Sequence, residues 1–193
     1  MMVDVKKTKD KKSKKRAEAH MRVKVNGREI EHPVQKILIA VAFIVGPLVL
    51  GSIASALTGN AMMGFGALKQ PPLSPPAWLF PVVWTMLYLL MGVASYLIYR
   101  MQVKDKKEKL LKRRELVLYF TQLAFNFMWT ILFFRFGVRY FAFGWLILMW
   151  VMILTLVVMA FRNRQKAVGW CLVPYLAWCT FAGYLNIMVA VLN

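Results

Sequence analysis

The chain has 193 residues, 60% of them hydrophobic, and a formal net charge of +18 from 26 Lys and Arg against 8 Asp and Glu. Its mean hydropathy is +0.53, whereas a soluble domain is nearer half apolar. High hydrophobicity and high charge coexist in so short a chain only if they are segregated along it. That excludes a water-soluble globule, a disordered chain and an ordinary basic nucleic-acid domain.

Residues 1–33 form a lysine-rich polar arm, expected to be disordered and solvated near anionic lipid headgroups. A nucleic-acid-binding arm would interleave aromatic residues, so no nucleic-acid partner is expected. A mitochondrial presequence would be poor in acids. Within the arm, alternating residues from Val23 to Ile30 flank Asn26-Gly27, a hairpin turn signal, although isolated hairpins are marginal in water.

Five apolar segments follow, at 34–57, 77–99, 116–135, 141–161 and 169–192. Each is about 20 residues, the length that carries a helix across about 30 Å of hydrocarbon. Lipid leaves no water to satisfy the backbone, which favours helices, and the alternation of a membrane barrel is absent. The predicted fold is therefore all-α, a polytopic five-transmembrane-helix bundle over residues 34–193. Ala54-Ser55-Ala56 resembles a cleavage site. The apolar run is long for a signal peptide and the preceding arm is an unusual n-region, so the first span is read as retained.

The basic residues divide unevenly among the connectors. Twelve lie in the arm and its edge, eight in 100–115 and three in 162–168; Lys69, Arg135 and Arg139 fall on the other side. With five spans, this bias predicts a cytoplasmic N-terminus and an external C-terminus, in a bacterial plasma membrane.

Little in the chain points to metal or redox chemistry. Both histidines, His20 and His32, lie in the arm. Cys171 and Cys179 sit eight apart in one apolar run, too far to bridge along a helix. All eight acids fall outside the apolar segments, Glu115 bordering the third. An intramembrane carboxylate of the kind proton-coupled pumps use is therefore missing. No metal site and no required cofactor are expected.

The informative residues are aromatic and amide side chains deep in the spans. Trp78, Trp145 and Trp170 lie near span ends and fit an interfacial belt. Trp84 lies about 10 Å into the second span, and Trp178 is near the middle of the fifth. Helical spacing puts Trp84, Tyr88, Met91 and Ser95 on one face. Gln122, Asn126, Trp129 and Phe133 share another, and Tyr175, Trp178, Ala182 and Asn186 a third. Lipid-facing stripes are uniformly apolar, so these mixed faces should point into the bundle. Gln122 and Asn186 read as hydrogen-bonding glue between helices; for Asn126, glue and ligand binding are both open.

An aromatic interior with a few polar groups and no carboxylate suits a flat, apolar ligand, neutral or partly anionic. Any acidic groups of that ligand would lie near Lys69 and free backbone N–H groups of the loop. The loop enters the second span through Lys69-Gln70-Pro71-Pro72-Leu73-Ser74-Pro75-Pro76. Four prolines make it stiff, as either a lid or a plain connector. On the first span, the small pairs Gly51/Ser55 and Ser52/Ala56 permit close helix approach within the chain or in a homodimer.

The stretches Ala67 to Pro76, Phe80 to Gly92, Gln122–Asn126–Trp129 with Phe133 and Phe134, and Pro174 to Asn186 together resemble the TspO/MBR family of translocator proteins. The resemblance covers residues 34–193. It implies a five-helix, often dimeric receptor-like membrane protein. Such proteins bind porphyrins and other flat hydrophobic molecules in a pocket closed by the first loop. Matching positions are Trp84, Asn126, Trp178 and Ala182, with Trp129 and Tyr88 as neighbours. Pro75, Pro76, Phe80 and Thr130 complete the expected ligand-binding set. The resemblance also implies a sensing role or a photo-oxidative breakdown of porphyrin at Trp84 and Trp178; the alternative is a transporter of porphyrins or other amphiphiles. Two features depart from the family pattern. Gly64-Phe65 stands where a Trp-Tyr-like pair is usual, and no Lys or Arg follows Lys166, so the C-terminal sterol motif of animal members is missing. A weak sterol-type pattern remains at Val93, Tyr96 and Arg100.

Overall fold

The structure, a computed structural model of the chain, describes residues 22–25, 28–31, 33–59 and 65–193. Two compact units divide it at residue 42. In the first, β1 (Arg22–Val25) and β2 (Arg28–Glu31) pair antiparallel, Val23 opposite Ile30 and Val25 opposite Arg28. Two strands of the basic arm thus pair on either side of the Asn26-Gly27 signal. The turn itself and residues 1–21 lie outside the described residues.

Five helices follow: α1 (Pro33–Thr58), α2 (Leu79–Arg100), α3 (Lys106–Thr130), α4 (Arg139–Arg162) and α5 (Lys166–Leu192). All five are long and apolar enough to cross a membrane. α3 runs on through a π-helical turn, Ile131–Arg135. Its start differs from the expectation. Residues 100–115 read as a basic connector, yet the helix begins at Lys106. Asp105 explains this, because its carboxylate caps the helix by accepting from the Glu108 N–H at 2.7 Å. Glu108 in turn accepts from the Lys104 N–H at 2.7 Å. This reciprocal cap offsets the mutual repulsion of the lysines that follow.

The earlier start also relocates Glu115, which hydropathy placed at the margin. It is 1% exposed and solvated by neutral amides. Asn163 Nδ2 donates to it at 3.0 Å, and Gln165 Nε2 reaches both carboxylate oxygens at 3.0 and 3.2 Å. A buried carboxylate without such donors would be strongly disfavoured. The acid therefore ties α3 to the α4–α5 turn.

Helices α2, α3, α4 and α5 contact one another in a closed ring, α5 lying between α2 and α4. The core runs through Met91, Met149, Ile153, Leu172, Tyr175 and Cys179. The three mixed stripes face inward as expected, and polar bonds cross between helices there. The Tyr88 O–H donates to Asn126 Oδ1 at 2.8 Å, Asn126 Nδ2 to Tyr175 Oη at 3.1 Å, and the Tyr175 O–H to Gln122 Oε1 at 2.9 Å. One layer away, Trp129 Nε1–H donates to Asn186 Oδ1 at 3.1 Å, and Asn186 Nδ2 to the Arg139 carbonyl at 2.8 Å. Trp145 is not a belt residue. It is half-buried, stacks on Phe125 at 4.2 Å and donates to the Phe125 carbonyl at 3.0 Å. Trp78 and Trp170 are about two-thirds exposed, as a belt requires.

From Phe43 onward, α1 leans on α2 and α3. Phe43 stacks on Tyr99 at 4.9 Å and approaches Phe120. The backbones of α1 and α2 nearly touch where Gly92 meets Ile44, and a Cβ on Gly92 would overlap the Ile44 main chain. At the far end, Arg135 Nη1 donates to the Leu57 carbonyl at 3.0 Å.

These contacts set the expected effects of three substitutions. Gly92→Val, which overpacks a backbone crossing, should lower the melting temperature in detergent, at a cost of about 1–3 kcal/mol. Gly144→Ala, with open space around it, should leave the melting temperature unchanged or raise it. Asn126→Leu removes two interhelical hydrogen bonds of about 0.6 kcal/mol each, with individual cases up to about 1.7. It should destabilise the bundle by about 1–3 kcal/mol on the same assay.

Candidate functional site

Between α1, α2, α3 and α5 lies a cavity of about 960 Å³, at the upper end of the range for small-molecule sites. Its floor and walls are aromatic. From α2 come Phe80, Trp84 and Tyr88; from α3, Trp129, Phe133 and Phe134; from α5, Trp178. Trp84 is wedged among rings, with centroids 5.5 Å from Tyr88, 6.4 Å from Trp129 and 6.4 Å from Tyr175. Trp178 meets Phe80 edge-on at 6.0 Å and Phe181 at 5.6 Å. Such contacts fix ring orientation and leave π faces for a planar ligand.

Among the described residues, no charged side chain lines the cavity. The described residues also hold no cluster of three or more His, Cys, Asp or Glu. The lining is therefore suited to an apolar ring system and not to an ion.

Of the residues singled out by the sequence, Pro75, Phe80, Trp84, Tyr88, Trp129, Thr130, Trp178 and Ala182 line the cavity together. Asn126 and Pro76 do not line it. Asn126 is buried one layer behind, where it holds Tyr88 and Tyr175 in place. Its amide is engaged in joining helices. Asn186, read as glue, joins helices and also reaches the lining.

One wall was not anticipated. Leu48, Gly51, Ser52, Ser55 and Ala56 on α1 line the cavity. The small residues noted for helix approach thus face the chain's own interior. Gly51 is packed so closely on Tyr88 that a Cβ would overlap its ring. The sequence signal was present as a small-residue stripe, but a stripe alone does not say what lies opposite.

The 65–78 loop contributes Gly66, Gln70, Ser74, Pro75 and Ala77 to the lining. Gly64, where the chain departs from the family pattern, lies outside the described residues. Four prolines deprive this loop of N–H donors; within it the Ser74 O–H donates to Gln70 Oε1 at 2.9 Å, and three bonds run to the α5 end. The Lys69 N–H donates to Asn193 Oδ1 at 2.9 Å, Asn193 Nδ2 to the Lys69 carbonyl at 3.2 Å, and the Tyr184 O–H to the Pro72 carbonyl at 2.8 Å. The Lys69 N–H is thus engaged, and Lys69, named for the acidic groups of a ligand, is not part of the lining. Leu73 takes a positive φ of 68° at the tip of the turn and is 82% exposed.

Comparison with known proteins agrees with this architecture. The TspO/MBR family model matches residues 43–192, nearly all of the helical bundle. The "Tryptophan-rich protein TspO" of Chlorobaculum tepidum is 32% identical over 162 residues, which is 83% of this chain and 99% of that protein. Its namesake in Archaeoglobus fulgidus is 31% identical, covering 81% and 98%. The "Translocator protein" of Bos taurus is 34% identical, covering 76% and 85%. The five apolar helices, the inward aromatic stripes and the length of these matches converge on one assignment: the chain is a multi-pass membrane protein belonging to the TspO/MBR family.

Proposed function

We propose that this protein binds a flat, apolar tetrapyrrole, a porphyrin above all, in the cavity bounded by α1, α2, α3 and α5. The observation that carries this reading is an uncharged cavity of about 960 Å³ with Trp84, Trp129 and Trp178 in its walls. Indole faces recognise planar rings by stacking and by burial of apolar area. Acidic substituents of a porphyrin would stay at the loop end, away from the ring stack. In this reading the basic bias of the arm, of 100–115 and of 162–168 sets those segments toward the cytoplasm, and the proline-rich loop faces outward.

The loop's role in this reading is to retain the ligand. It overlies the cavity and is tied to α5 by a few bonds, each of which contributes about 1 kcal/mol.

Titration of purified protein with protoporphyrin IX, followed by ligand absorbance, tests the reading. Trp84→Phe combined with Trp178→Phe should weaken binding about tenfold; an unchanged affinity would remove the site from these residues. In stopped-flow chase experiments Tyr184→Phe should speed porphyrin release about fivefold, with the bound spectrum unaltered. If release is no faster, the loop does not hold the ligand in.

A further inference from the structure

At the end of the bundle away from the proline-rich loop, Glu115 draws two basic segments together. Its amide partners, Asn163 and Gln165, flank Arg164 in the α4–α5 turn. The same Gln165 amide donates to Met101 Sδ at 3.1 Å, and Lys112 Nζ donates to the Met101 carbonyl at 3.1 Å. The end of α2, the start of α3 and the α4–α5 turn thus meet. Residues 100–115 and 162–168 bring eight and three Lys or Arg to this margin. Its three acids are engaged by neutral donors: Asp105 by the Glu108 N–H, Glu108 by the Lys104 N–H and Glu115 by the amides. Among the described residues no ion pair offsets the cations gathered here. Arg164 differs from the rest in its backbone. The Gln165 N–H donates to the Ala160 carbonyl at 2.8 Å and the Arg164 N–H to the Phe161 carbonyl at 3.2 Å. This pair of bonds ends a helix with a left-handed residue, ordinarily glycine or asparagine. Arg164 holds that conformation, φ 59°, at a steric cost. Its side chain is exposed and bonds to nothing among the described residues, so the strain secures no contact within the chain.

We propose that this margin binds anionic phospholipid headgroups of the surrounding bilayer, and that Arg164 selects them over neutral ones. Depth favours headgroups as the partner. α3 with its π-helical turn has 30 residues. At about 1.5 Å per residue it is about 45 Å long, the thickness of a bilayer with its headgroup layers and more than the hydrocarbon alone. Its basic first turns therefore lie at headgroup level. Trp170, one turn into α5 and 64% exposed, marks the hydrocarbon edge on this side, and the α4–α5 turn with Arg164 lies just beyond it. A guanidinium offers a phosphate two parallel N–H donors. An anionic headgroup brings net negative charge to the cluster, whereas a zwitterionic one sets its ammonium among like charges. Strain at an exposed arginine has a physical reason if the side chain serves a partner outside the chain. The proposal requires only the membrane assignment and does not depend on what occupies the cavity.

Full-length protein in nanodiscs of equimolar phosphatidylglycerol and phosphatidylcholine, with identical acyl chains, provides the test. Native mass spectrometry counts the lipids that stay bound on release. Phosphatidylglycerol should be retained about tenfold over phosphatidylcholine. Arg164→Gly relieves the backbone and removes the charge, so two readouts should move in opposite directions. The melting temperature in neutral detergent should rise by about 2 °C, while the preference for phosphatidylglycerol should fall about fivefold. Arg164→Asn, which also tolerates the left-handed backbone, should show the same loss of preference. Lys69→Gln removes one charge at the opposite end and should leave the preference unchanged. The basic arm is common to every sample, so differences report the substituted residue. Equal retention of the two lipids by the unaltered protein would overturn the proposal, as would a preference unchanged in both Arg164 variants. A loss as large in Lys69→Gln would reduce it to total charge and overturn it too. Lower melting temperatures in both Arg164 variants would show that the side chain serves the fold and would remove its assignment to lipid. Displacement of the retained lipid by millimolar inorganic phosphate would assign the margin to soluble anions and overturn the headgroup reading.

Discussion

A polar atom inside hydrocarbon has no water to bond, so its partner must come from the chain itself. This single requirement organises the bundle. The Tyr88–Asn126–Tyr175–Gln122 bonds join α2, α3 and α5, and Trp129 with Asn186 repeats the device nearer the loop end. Apolar contact alone would let helices slide, since lipid tails are as apolar as leucine. Directional bonds between amides, phenols and an indole specify which faces meet. Glu115 obeys the same requirement at the basic end, where three amide hydrogen bonds from Asn163 and Gln165 surround a carboxylate.

The cavity is a consequence of that ring. α2, α3 and α5 are held together behind it, and α1 closes it with small residues. Gly51 accepts the edge of Tyr88, and Gly92 lets the α1 backbone approach α2. Larger residues at either glycine would hold α1 away from the wall it completes. At the open end, prolines make the loop stiff and poor in donors, so Asn193 and Tyr184 of the α5 end secure it. The walls are thus polar in their anchoring and aromatic in what they present.

Much of the fold could be read from the residues. Five spans and their inward stripes fall where hydropathy and helical spacing put them, and eight of the ten anticipated site residues line one cavity. The misplacements share a cause. The start of α3 at Lys106 was hidden by a lysine-rich run that hydropathy scores as connector, though Asp105 and Glu108 carry a cap signal in the sequence. Glu115 looked marginal because its solvation by Asn163 and Gln165 arises from residues about fifty positions away. The paired strands Arg22–Val25 and Arg28–Glu31 flank a turn signal in plain view, but a short two-stranded element is too weak a pattern to stand against a polar, basic background.

Membrane residence and span number belong to the linear chain, because transfer of a segment into lipid depends mainly on its own composition and length. The aromatic and amide character of the inner faces belongs there too, since period 3.6 is a local property. Which helix closes the cavity and whether Asn126 meets a ligand or a tyrosine are different matters. They depend on the rotation of each helix and on contacts between residues far apart in the chain. A one-dimensional pattern cannot encode a partner across the bundle; only packing brings Gly51 to Tyr88 and Asn126 between two phenols.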